Sequence, residues 1–161
     1  GLVLHLTATV LLLVLIVRAF KKSGQLSSAG AWHLISSYLW ILAPVLVAPL
    51  ILLGMLDEHP KKAPAPKPLL YGGVFNFGFA LLLYVARRFF LKEESPQLGG
   101  CWGSLTAATL GSVFVWLSIF IIPASGVLYG VGFAMYALAF IHPVKELLQI
   151  VRDGLRKFDP A

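Results

Sequence analysis

The chain has 161 residues, 58% of them hydrophobic and 12% charged, against roughly a quarter charged in an average soluble domain. Too little polar surface remains for a soluble enzyme, so the chain reads as an integral membrane protein with the lipid bilayer as its first partner. Its formal charge of +6 is expected to orient the chain in the bilayer, and nucleic acid is not an expected partner.

Gly1 to Val17 is an uncharged apolar run closed by Arg18, Lys21 and Lys22. It lacks the basic start and small-residue cleavage site of a secretory signal, so it is expected to persist as a first helix reaching about Phe20. Lys21 to Gly30, with Gly24, Ser27 and Ser28, reads as a loop. A second helix opens at Trp32 and runs to about Leu56, with a kink expected at Pro44 and Pro49, where each ring removes a backbone donor. Asp57 to Pro68 carries prolines at 60, 64, 66 and 68 among Lys61, Lys62 and Lys67, which predicts a stiff, extended external loop.

The third helix follows from about Leu69 to Phe90, closing on Arg87 and Arg88, and Lys92 to Gly100 forms a polar link. Ser95 to Val144 is free of charge and long enough for two spans. Pro123-Ala124-Ser125-Gly126 is its turn signal, so the fourth helix is predicted at Trp102 to Ile122 and the fifth at Val127 to Ile141. Pro143 disfavours a helical His142 and suits the first position of a new helix. There Val144, Leu147, Leu148, Val151, Leu155 and Phe158 recur at helical spacing, with the charges largely off that stripe, the pattern of a helix lying in the membrane interface. The expected fold is therefore all-α: a bundle of about five transmembrane helices over 1–142 and a C-terminal amphipathic interfacial helix over 143–161.

Five spans put Arg18, Lys21, Lys22, Arg87, Arg88, Lys92, Lys145, Arg152, Arg156 and Lys157 on one side and Lys61, Lys62 and Lys67 on the other. Because cytoplasmic loops gather Lys and Arg, the N-terminus is expected outside and the C-terminus in the cytoplasm.

Chemistry is sparse. The acids all fall in loops or in the tail, which leaves no carboxylate relay across the spans. Walker, Rossmann, zinc-protease and serine-hydrolase motifs are absent. The single cysteine, Cys101, excludes an internal disulfide, and Leu98-Gly99-Gly100-Cys101 resembles a lipoprotein cleavage box only by coincidence, lying too deep in the chain. His5 and His59 fall toward the outer side. His33 and His142 fall at matching inner depth on two helices, as bis-histidine haem ligation requires; the competing reading bonds them to lipid phosphate, backbone or water. Asn76 is the strongly polar uncharged side chain within a span and is expected to bond between helices. Gly126, Gly130 and Gly132 permit close approach of the fifth helix, and Ser104, Thr106, Thr109, Gly111 and Ser112 give the fourth a small, polar side.

These features point to a non-catalytic accessory or anchoring subunit of a larger membrane complex, an energy-transducing one among the candidates, with other membrane subunits as partners. The alternatives are an electron-transfer subunit binding haem b or a quinone through His33 and His142, and a small oligomeric transporter or channel.

Overall fold

The computed structural model describes residues 2–53, 67 and 69–158, and among them every regular element is helical. The proline-rich segment expected to form the external loop lies outside the described residues, apart from Lys67, as does the end of the tail at 159–161.

Five long helices follow in order. Helix α1, Leu2–Lys22, ends on Lys21 and Lys22, cations that suit the negative end of the helix dipole. Gly24 then takes a left-handed conformation (φ 72°) that reverses the chain at little steric cost. Helix α2, Ala29–Leu52, continues through Pro44 and Pro49 without a break in its assignment. Helix α3, Phe75–Ala86, is extended at both ends by wider π-helical turns, Leu69–Val74 and Arg87–Leu91. Helix α4, Trp102–Leu117, stops five residues before the predicted end. There the amides of Ile119 and Phe120 bond back three residues, to Trp116 and Leu117, and tighten the chain into a turn. Helix α5, Ser125–Phe158, is the longest. Among the described residues, three stretches, Val3–Lys22, Leu70–Leu91 and Ser125–Lys157, are long and apolar enough to cross a membrane.

The final helix is not separate: α5 runs through Pro143 without interruption. The proline removes one backbone bond, but helix α3 lies beside both halves and holds them in line. Phe140, before Pro143, packs edge-on against Phe75 and Phe79 at ring-centroid distances of 4.7 and 4.9 Å. Beyond it, Leu147 and Ile150 join Leu83, Ala86 and Phe90 in one apolar cluster. The stripe assigned to the membrane interface is thereby divided. Leu147 turns into the bundle, whereas Val144, Leu148 and Leu155 stay exposed.

Helices α3 and α5 run parallel, since contacts advance together from Tyr71–Phe133 through Phe79–Phe140 to Phe90–Gly154. Helices α4 and α5 form an antiparallel hairpin, with Gly111 against Gly132. A Cβ on either glycine would come within 2.9 Å of the other's carbonyl oxygen, so the pair lets two backbones nearly touch. Next to this crossing the Tyr136 hydroxyl donates to Ser112 Oγ at 3.0 Å.

Candidate functional site

The site is built where three helices and a returning link meet. Lys92, in a left-handed conformation (φ 57°), turns the chain after α3, and Arg88 donates to the Glu94 carbonyl at 2.8 Å across that turn. The link then climbs back along the helix until Gly99 N donates to Ala80 O at 3.1 Å. At 1.5 Å per residue, Ala80 lies about 10 Å nearer the bundle centre than Arg87. The end of the link, Leu98 to Gly100, is thus a strap wedged between α2 and α3.

Glycines make this approach possible. A Cβ on Gly30 would stand 2.6 Å from Leu98, and one on Gly99 would overlap the Leu83 side chain. At Gly100, φ is 96° and a Cβ would lie 2.5 Å from His33 Cδ2, so both backbone angle and space require glycine. The Leu98-Gly99-Gly100-Cys101 string is therefore a packing device.

Cys101 then caps helix α4. Its sulfur accepts from Ser104 N at 3.3 Å, while Ser104 Oγ accepts from Cys101 N at 3.1 Å, a reciprocal arrangement that satisfies amides at the helix start. The Ser104 hydroxyl also lies 2.9 Å from His33 Nε2.

His33 is fully buried, and both its ring nitrogens are engaged. Nδ1 meets Asn76 Oδ1 at 2.6 Å. The amide is oriented by its own NH2, which donates to Gly72 O at 2.7 Å. Asn76 therefore presents oxygen to the ring, and Nδ1 carries a proton to donate to it. In the neutral ring Nε2 then carries no proton; it lies 2.9 Å from the Ser104 hydroxyl, whose single proton is shared with the Cys101 carbonyl 2.8 Å away. Phe79 packs edge-on at 5.8 Å. Asn76, also fully buried, joins α3 to α2 through this ring.

The polar seam continues along the helices. Ser36 and Thr109 approach to 3.4 Å between α2 and α4, and Tyr136–Ser112 follows between α5 and α4.

Below the strap, at the end of the bundle that carries Arg87 and Lys145, opens a cleft of about 630 Å³. The start of α2 (Ser28, Ala29, Gly30) and the strap (Gln97, Leu98, Gly100) form one side. Arg87 and the α5 residues His142, Lys145, Glu146 and Gln149 form the other, with Trp102 also in the lining. Arg87 Nη2 donates to Glu146 Oε1 at 2.5 Å, and His142 Nδ1 stands 3.7 Å from Glu146 Oε2. Glu146, which the sequence places off the tail's apolar stripe, is thus a partly buried ion-pair partner of the third helix.

The two histidines are not brought together as a ligand pair. His142 lines the cleft, whereas His33 lies behind Gly100 with both nitrogens committed to the core. Ligation of iron by His33 would break its bond to Asn76 or to Ser104 and displace the Gly100 backbone. The residues present therefore do not fit bis-histidine haem. The three packing glycines also separate: Gly132 is buried against α4, while Gly126 and Gly130 have open space where a Cβ would stand. Sequence reasoning placed Ser104 on the small, polar side of the fourth helix without linking it to His33, and missed Gly99, Gly100 and Glu146 as site residues. Only the Gly-Gly pair carried a local signal, as a place where backbone approaches closely.

Comparison with protein-family models, curated proteins and solved structures finds no match. The functional reading rests on the geometry alone.

Proposed function

We propose that the chain is a non-catalytic anchoring subunit of a larger membrane complex, crossing the bilayer five times with its N-terminus outside and its C-terminus in the cytoplasm. The observation that carries the reading is the outward surface of α5. This helix uses Gly132 for contact with α4 but leaves Gly126 and Gly130, one turn apart, open to the outside. Farther along, Val144, Leu148 and Leu155 are exposed as well. In lipid, apolar surface alone does not bring helices together, and small residues that let backbones approach are a principal means of association. A second such surface, unused within the chain, suits a neighbouring subunit's helix. His33, Asn76 and Ser104, and Tyr136 with Ser112, bond to one another across helices, which suits a structural role.

Introducing Gly130→Leu is expected to reduce recovery of copurifying subunits in mild detergent, and Leu82→Ala on the outside of α3 to leave it unchanged. A protein that purifies alone, stays monodisperse and turns over or transports a substrate after reconstitution would sink the reading. Orientation is tested separately in a Cys101-free background. A cysteine at Ala63 should react with an impermeant reagent added from outside, and one at Gln25 should not; the reverse pattern would invert the topology.

A further inference from the structure

The cleft at the basic end is explained neither by packing nor by assembly. Within it, Arg87 and Glu146 neutralise each other across 2.5 Å. Lys145 adds a positive charge that no acid among the described residues pairs with. Lys145, Gln97 and Gln149 line the cleft, and their side chains make no hydrogen bond or ion pair among the described residues. Ala29 and Gly30 also line it, as the first residues of a helix of 24, so their amides precede the intrahelical bonding pattern and sit at the positive end of the dipole. The amide of Ala31, next in line, is already capped by Ser28 Oγ at 3.2 Å.

These groups offer hydrogen-bond donors from three walls: α2, the strap and α5. A ligand that satisfies such a set is anionic and carries acceptor oxygens in several directions, as a tetrahedral phosphate does and a planar carboxylate does not. The volume of about 630 Å³ exceeds what a bare phosphate ion fills, leaving room for its substituent. Trp102, half exposed in the lining, supplies an apolar plane for that substituent.

We propose that this cleft binds the phosphate group of a phosphate ester, paired with Lys145 and held by Gln97, Gln149 and the first amides of α2. The assignment is independent of whether the chain assembles with other subunits.

The test uses the whole chain in nanodiscs and mild detergent with two probes, dioleoyl phosphatidylglycerol and glycerol 3-phosphate, and dioleoylglycerol, which has the same chains and no phosphate, as the lipid control. Native mass spectrometry should find phosphatidylglycerol retained in preference to dioleoylglycerol. Lys145→Gln combined with Gln149→Leu should weaken retention about tenfold, the usual worth of one charge-assisted hydrogen bond. Lys157→Gln, which removes an equal charge from the same helix outside the cleft, should change nothing. If glycerol 3-phosphate raises the melting temperature of the native chain and not of the double variant while the lipid is not retained, the phosphate assignment stands with a soluble ester as its source. Should the double variant lose stability without ligand, the milder Gln97→Leu on the exposed strap replaces it. Failure of both probes to bind, or equal losses from Lys157→Gln, would overturn the proposal.

Discussion

Helices α1 and α3, with the turns that extend α3, are both long and apolar enough to cross a membrane, yet the bundle treats them differently. Both are uninterrupted apolar stretches of span length, but only 6% of the α1 window is buried inside the chain against 28% for α3. Helix α1 is built from Leu, Val and Ile and exposes most of them; its buried Thr9 bonds to its own helix, at His5 O. Helix α3 buries Asn76, Phe79, Ala80, Leu83 and Ala86. The difference is one of side-chain type. Where the surroundings are as apolar as Leu, large aliphatic residues gain little by choosing protein over lipid, and polar groups, small residues and shaped aromatic surfaces decide which helix goes inside.

Breaking the polar centre of α3 should therefore have the largest effect. Asn76→Leu, which leaves the buried His33 Nδ1–H without its acceptor, is expected to cost about 3 kcal/mol, and His33→Ala, which removes its partner on α2 and opens a cavity, a similar amount. Leu11→Ala on α1 should stay within about 0.5 kcal/mol, as surface substitutions do. Unfolding midpoints in detergent measure both, and equal losses on the two helices would refute the contrast. Next comes the strap. Gly100→Ala must accept a positive φ and press on the His33 ring, a combined cost of about 2 kcal/mol. If this variant is as stable as the native chain, the strap does not sit as described. Arg87→Ala strands Glu146 and is expected to cost about 2 kcal/mol, part of which Glu146→Gln should restore in the double variant; additive losses would mean that the two side chains do not interact.

The smallest effects sharpen the comparison within α5. Gly132→Ala presses a methyl group onto Gly111 and Val115 and is expected to destabilise the isolated chain by about 1–2 kcal/mol. Gly130→Ala, with open space outside it, should be neutral or stabilise by a few tenths, since alanine favours helix over glycine. Its cost, if any, should appear only when partner subunits are present.

What was legible in the sequence was what depends on a few neighbouring residues. The all-α class follows from the length of the uncharged runs, and the third helix, read as Leu69 to Phe90, extends to Leu91 because its apolar run and terminal arginines are local signals. The turn around Pro123 and the loop containing Gly24 are of the same kind. Tertiary structure alone decided whether Pro143 starts a helix or lies inside one: the proline weakens one turn, and contacts with α3 on both sides outweigh that local preference. Gly130 and Gly132 likewise read the same in sequence, and only the position of α4 separates a contact from an open surface. His33 meets Asn76 and Ser104 from 43 and 71 residues away. A buried imidazole must find partners wherever the fold supplies them, and nothing in the residues flanking His33 records which helix will bring them.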